Sequence, residues 1–228
     1  MEFWSKILFD FSPCSVLEIA CGTGRLAEIF LREGIHYTGI DIMTNFIQTA
    51  KKKMINYSNN SLFIKGDMRN FNLNKKFDFI FIAFNSFLHL LTDEEIFTCL
   101  NCIKNHMHGK SRFIIDIYVP NPLFLYRPSN CRFKVLEFIN SKTNEKVYVE
   151  ETNSYDGKTD INKITWYFST DEKQDYEHRK FSLRMLFPSK MNHILIDSGF
   201  KICNQWGDYH QTKLNVGSKL QIYNLMLH

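Results

Sequence analysis

Apolar positions over the first 118 residues follow two alternating rhythms. Short runs at 15–20, 36–41, 61–65 and 77–84 are dense in β-branched and aromatic residues, and the stretches after the first two space their apolar residues three and four apart. Leu26, Ile29 and Phe30 form one such stripe; Met43, Phe46, Ile47, Ala50 and Met54 form the next. A period of two passing into 3.6 and back predicts βαβ units and a mostly parallel sheet. The run 77–84 is apolar on both faces, as a central strand covered by helices requires. Thr92-Asp93-Glu94-Glu95 has the spacing of a capping box, which predicts a helix reaching about Met107. After His108-Gly109 a fifth strand is expected over 112–118.

The rhythm changes after Val119-Pro120-Asn121-Pro122. Alternation from 132 to 184, with turn signals at Asn140-Ser141 and Asp156-Gly157, predicts a small antiparallel sheet. A helix should resume at Pro188, a good first helical residue, with Met191, Ile194 and Leu195 apolar and Gly199 as its C-terminal cap. Runs at 200–206 and 220–227 then read as an antiparallel strand pair. The expectation is an α/β chain in a single domain, with a core over 1–125 and 186–228 and an antiparallel subdomain inserted at about 130–185.

Composition narrows the partners. With 228 residues, 44% hydrophobic and 15% aromatic, the chain can bury a sizeable core. Its formal charge of +4 is too small a surplus to imply a polyanionic partner, and residues 132–184 hold ten basic and ten acidic side chains, so the insert is no phosphate-binding surface and a nucleic-acid partner is not expected. Lys51, Lys52 and Lys53 sit where a helix ends, beside its C-terminal dipole. Six cysteines at 14, 21, 99, 102, 131 and 203 lack the spacing of a disulfide framework, and Cys99-Leu100-Asn101-Cys102 falls in a helix with Ile96, Cys99, Leu100, Ile103 and Met107 along one face and no second Cys or His pair at zinc-finger spacing, so packing rather than a metal is expected there. Glu2 and Asp10 spoil any export signal, and no apolar stretch approaches the roughly 18 residues of a membrane helix, so a cytoplasmic location is expected.

Chemistry concentrates at the strand ends. Gly22-Thr23-Gly24-Arg25-Leu26-Ala27 satisfies the G-x-G-x-x-G/A pattern of a dinucleotide site, and alone suggests an NAD enzyme. Glu18 changes that reading, because a carboxylate just before the turn repels a pyrophosphate but attracts an ammonium or a sulfonium; its other role would be to cap local turn amides. Asp41 is placed to accept from both ribose hydroxyls of an adenosine. Asp67 is placed to accept from an adenine amino group, with Met68 as backbone contact and apolar wall, or else to cap a helix.

In that order, VLEIACGTG, TGIDI, GDMR and FDFIFIAFNSFLHL resemble motif I, the ribose-binding acid loop, the adenine-binding acid and the fourth strand of class I S-adenosylmethionine-dependent methyltransferases. The CGTGR form, the PNP after the fifth strand and the inserted sheet resemble the small-molecule branch, including amino-sugar N-methyltransferases and glycine N-methyltransferase-like enzymes. The resemblance implies a three-layer Rossmann-like methyltransferase fold, with a seven-stranded mostly parallel sheet, an antiparallel C-terminal strand and an inserted small antiparallel sheet. It implies S-adenosylmethionine as methyl donor, S-adenosylhomocysteine as product, and a small-molecule acceptor methylated at N or O. The implied cofactor contacts are Glu18, Ala20, Cys21, Gly22, Gly24, Arg25, Asp41, Ile42, Asp67, Met68, Phe84 and Asn85, without a metal. No catalytic residue is implied family-wide; His89, in the loop after the fourth strand, is the candidate base. Arg184 and Tyr155, on the inserted sheet, are candidate acceptor contacts. The insert is expected to roof the acceptor pocket and to help form a homodimer. Family members carry a further helix or two before motif I, so Phe3 and Trp4 are either a shortened lid or what remains of a lost start. The alternatives are a noncatalytic S-adenosylmethionine-binding protein and an NAD-dependent oxidoreductase.

Overall fold

The computed structural model describes residues 2–228. The elements run in the order α1 (Glu2–Phe11), β1 (Ser15–Ile19), α2 (Ala27–Leu31), β2 (His36–Asp41), α3 (Thr44–Lys53), β3 (Ser61–Lys65), β4 (Phe77–Ile82), α4 (Asp93–Asn105), β5 (Met107–Tyr118) and α5 (Pro122–Leu125). Then follow β6 (Phe133–Ile139), β7 (Lys146–Asp156), β8 (Ile161–Ser169), β9 (Glu177–Arg184), α6 (Pro188–Asp197), β10 (Phe200–Trp206) and β11 (Leu220–Leu227).

Seven strands form one sheet in the order β10-β11-β5-β4-β1-β2-β3, in which β11 alone runs antiparallel to its neighbours. The remaining four form a separate antiparallel meander, β6-β7-β8-β9. The chain divides into two compact units: the first holds residues up to Phe87, Thr92–Val119 and Phe187–His228; the second holds Leu88–Leu91 and Pro120–Leu186.

In the first unit, β1 and β4 are shielded on both faces because their apolar residues do not alternate with polar ones: Val16, Leu17, Ile19, Phe79, Ile80, Phe81 and Ile82 are all fully buried. Rings of Trp4, Phe30, Tyr37, Phe79 and Phe81 pack together, with the Trp4 and Phe81 centroids 4.6 Å apart. The capping box forms as its spacing requires: the Thr92 hydroxyl accepts from the Glu95 amide, and the Glu95 carboxylate accepts from the Thr92 amide.

Two features depart from the sequence pattern. Residues 2–11 are a helix that no βαβ rhythm announces, because only Phe3, Trp4 and Ile7 are buried along it. Phe3 and Trp4 are 4% and 2% exposed and belong to the core. The fifth strand starts five residues early, at Met107, because Lys76 Nζ donates to the Met107 carbonyl and the Ser111 hydroxyl donates to that of Phe77, tying the extra turn to β4.

The second unit packs Val147, Val149 and Phe168 against Trp166. Arg127 lies 4.0 Å from the Phe124 ring centre and 4.4 Å from that of Phe133, and donates to Glu151 and Asn153. Trp166 Nε1 donates to the other Glu151 oxygen at 2.7 Å, which completes the pairing of a buried carboxylate.

Candidate functional site

Strands β1, β2 and β3 spread to one side, and β4 returns to pair with the free edge of β1. That reversal opens a crevice at the carboxyl ends of these strands, the usual ligand position in an open α/β sheet. The loops that leave those ends carry Ala20 to Arg25, Asp41 and Ile42, Asp67 and Met68, and Phe84 and Asn85. All belong to the first unit.

The glycine turn is held from β2. Asp41, 7% exposed, accepts from the Gly22 amide through Oδ2 and from the Met43 amide through Oδ1, both at 2.8 Å. Asp41 therefore caps the turn, and Glu18 does not. Ala20, Gly22 and Gly24 all have positive φ, at 58°, 56° and 74°. At Gly24 a Cβ would stand 3.3 Å from the Ala50 Cβ, so a larger residue meets both backbone strain and the face of α3. Cys21 is buried; burial and the nearby Glu18 and Asp41 raise its thiol pKa and keep it protonated.

Glu18 is 4% exposed and accepts a short hydrogen bond from the Tyr37 hydroxyl. Burial pushes its pKa up to about 8, against the Tyr37 hydrogen bond and the positive charge of Arg25, which act in the other direction. Near neutrality this carboxyl is mostly uncharged, a point that residue type alone could not reveal.

Asp67 is paired rather than a helix cap. Its Oδ1 accepts from the Arg69 amide at 2.9 Å, and its Oδ2 accepts from Arg69 Nη2 at 2.6 Å. The guanidinium beside it lowers the Asp67 pKa and also donates to Glu95 at the start of α4. Cys102 Sγ donates to the Arg69 carbonyl, and Cys99 is fully buried, so both cysteines support the helix face against this loop.

Phe84 and Asn85 both have left-handed backbones, with φ of 55° and 66°. Such strain in non-glycine residues persists only where neighbours enforce it. The exposed Phe84 ring carries the Arg25 guanidinium 3.7 Å above its centre. The Arg25 and Phe84 side chains line a cavity of about 340 Å³ together with Glu2, Phe3, Trp4, Leu26, Tyr209 and His210.

Three candidates lie elsewhere, in the second unit. His89 is exposed, and partial desolvation lowers its pKa, which favours the neutral ring a base requires. Arg184 is buried, and its Nη1 donates to the Leu91 carbonyl at 3.0 Å. The Tyr155 hydroxyl donates to Asp160 Oδ1 at 2.9 Å, which holds the β7–β8 turn. Arg184 and Tyr155 thus both carry structural bonds.

Asp116 and Tyr209 escaped the sequence reading. Asp116 is an acid inside the apolar run Phe113-Ile114-Ile115-Asp116-Ile117, the same signal that singled out Glu18. Tyr209, in the loop between β10 and β11, had no such signal.

A methyltransferase-domain family model matches residues 16–109. Over 102 residues the chain is 30% identical to a dTDP-3-amino-3,4,6-trideoxy-alpha-D-glucopyranose N,N-dimethyltransferase of Streptomyces venezuelae, an alignment covering 45% of this chain and 41% of that protein. The chain thus spans about two fifths of the curated relatives it matches. Among solved structures, the CcbJ methyltransferase of Streptomyces caelestis superposes with a TM-score of 0.83 at 16% identity, covering 99% of this chain and 88% of that one. An S-adenosylmethionine-dependent methyltransferase of Clostridium acetobutylicum superposes with a TM-score of 0.79 at 18% identity, covering 99% and 89%. The fold is that of the Rossmann-like methyltransferases.

Proposed function

We propose, proceeding from the methyltransferase domain that residues 16–109 match, that this protein transfers a methyl group from S-adenosylmethionine to a nitrogen of a small-molecule acceptor of the amino-sugar kind. The observation that carries the reading is the convergence of the glycine turn, Asp41, Asp67 and Phe84-Asn85 on the carboxyl ends of four adjacent strands. The amino-sugar acceptor rests on the relative that is 30% identical.

The residues present fit that donor. Nothing lies within 4 Å of where a Gly22 Cβ would stand, so the turn is open to a ligand. Asp41 and Asp67 are carboxylates with lone pairs beyond those given to backbone and Arg69, as ribose hydroxyls and an adenine amino group need. Ile42 and Met68 flank them as apolar wall, Ala20 and Cys21 offer the backbone of the turn, and Arg25 can pair with the amino-acid carboxylate.

The bound donor supplies an activated methyl group through its sulfonium. The protein's task is alignment and exclusion of water, which can save roughly 7–11 kcal/mol of barrier. Glu18 stores a proton beside the turn and gains charge when a cation comes near it. His89, with its lowered pKa, is the base that would free an acceptor lone pair.

A homodimer through the inserted sheet fits the open edge of β6, where Val135, Leu136, Phe138 and Ile139 are exposed. A nucleic-acid acceptor is disfavoured by the neutral insert, and a cytoplasmic setting by no feature of the sequence; among the described residues no helix is long and apolar enough to cross a membrane.

Calorimetric titration with S-adenosylhomocysteine, with NADH as the control, tests the donor. Saturable binding of the first and none of the second is expected; the reverse overturns the reading. Labelled methyl transfer to a panel of nucleotide-linked amino sugars tests the acceptor, and donor binding without transfer to any acceptor in a metabolite extract would favour the noncatalytic alternative.

A further inference from the structure

We propose that Asp116 is a positioning residue that latches Tyr209 and so closes the cavity beside Arg25. The proposal rests on the methyl-donor reading of the site whose Arg25 and Phe84 line that cavity, and adds the loop between β10 and β11, residues 207–219, to the machinery that holds the donor.

Asp116 is 1% exposed and does not itself line the cavity. Its bonds reach two walls that do. Oδ2 accepts from the Tyr209 hydroxyl at 2.5 Å and lies 3.4 Å from the Phe84 amide, which donates to it. Its main-chain carbonyl accepts from the Asn85 amide at 3.1 Å. Asn85 Oδ1 in turn accepts from the Tyr118 amide at 2.7 Å, a second staple on the same left-handed turn.

One buried carboxylate therefore joins an element far along the chain to the strained pair that carries Arg25. Burial raises the Asp116 pKa, while the Tyr209 hydroxyl and the Phe84 amide favour its charged form. The Tyr209 ring packs 5.3 Å from Phe3 and lines the cavity with His210, so its hydroxyl bond ties this end of the loop to the cavity wall. The spacing suits a latch: the hydroxyl is the handle, and the ring is the wall.

Tyr209→Phe removes the handle and keeps the wall. Hydrogen exchange in the ligand-free protein should quicken about tenfold over 207–219, the factor one lost hydrogen bond to a carboxylate supports. Affinity for S-adenosylhomocysteine should fall by about the same factor, and the KM for the donor should rise while that for the acceptor holds. Asp116→Ala should weaken binding at least as much, with Asp116→Asn intermediate because it keeps one acceptor. The double variant Tyr209→Phe with Asp116→Ala should be no worse than Asp116→Ala alone. Lys213→Ala, on the same loop but exposed, should match the wild type in both measurements.

Unchanged exchange and affinity in Tyr209→Phe, or strictly additive losses in the double variant, would overturn the latch. If the wild type fails to bind S-adenosylhomocysteine while exchange in Tyr209→Phe still quickens, the donor reading falls and the latch stands. A thermal midpoint for Tyr209→Phe near that of the wild type shows that the chain still folds.

Discussion

The Tyr37 hydroxyl donates to the Glu18 carboxyl across the β1–β2 pair, and both groups are buried. Glu18 lies opposite Gly39 in the strand register, and Tyr37 is the diagonal neighbour on the same face. A carboxyl shut away from water keeps its proton far above the usual range, at about 8, even though the Tyr37 hydroxyl acts in the other direction. Between about 4.5 and 8 the folded state thus holds a proton that the unfolded chain has released, so stability falls as pH rises through that window and levels off above it. Glu18→Gln keeps an acceptor for Tyr37 and removes the titration. Urea unfolding at pH 5 and pH 9 should show a loss of several kcal/mol, at most about 5, in the wild type and a much smaller one in the variant. Equal losses in the two proteins would mean that Glu18 is ionised in the fold.

The same proton links binding to pH. A ligand ammonium near Glu18 favours the carboxylate, so binding of S-adenosylhomocysteine at pH 7 should release up to one proton. Calorimetry in buffers of different ionisation enthalpy measures that release directly. The heat should depend on the buffer for the wild type and lose that dependence in Glu18→Gln.

Asp41 caps Gly22 and Met43, and on the proposed reading it also holds the donor's ribose. Asp41→Ala should cost about 1–3 kcal/mol of stability for the unpaired amides and weaken S-adenosylhomocysteine binding by ten- to a hundredfold. Asp67→Ala should weaken binding to a similar degree with less effect on stability, because its partner Arg69 is half-exposed and retains Glu95. Unaltered affinity in both variants would remove these acids from the site.

Gly39 tolerates no side chain: an added Cβ would stand 2.8 Å from Cys21 Sγ and 3.1 Å from the Phe63 ring. Gly39→Ala should destabilise the fold by about 1–3 kcal/mol through overpacking under the glycine turn. The double change Gly39→Ala with Cys21→Ala should recover part of that loss, since it removes the sulfur that the new methyl meets. A denaturation midpoint unchanged by Gly39→Ala would show that β2 can shift away from the turn at no cost.

Thr92→Ala removes half of the capping box at α4 and should cost about 1 kcal/mol in the same assay. Because Glu95 also accepts from Arg69, the lost cap should loosen the Asp67 loop as well, visible as faster hydrogen exchange at Arg69 and Asn70. Faster exchange confined to α4 would show that the two are independent.

Much of the framework was legible because it depends on short-range pattern. The parallel strands, the capping box, the Pro188 start and Gly199 end of α6 and the antiparallel character of the insert all follow from apolar spacing and turn chemistry. Helix α1 escaped because three buried residues in ten are too few for a period, and its Trp4 has meaning only against Phe81 of a distant strand.

By itself the sequence determined the order of the strands, the glycine turn and the acids that end β2 and β3, since residue type and spacing along the chain suffice to specify strand ends and tight turns. Only the tertiary structure decided the charge on Glu18, the burial of Arg184 and the bond from Asp116 to Tyr209. Each of these depends on dielectric surroundings or on a partner brought close by folding, and Asp116 and Tyr209 stand 93 residues apart in the chain. A carboxylate's letter gives its ordinary pKa, and the packing around it sets the one it has in the fold.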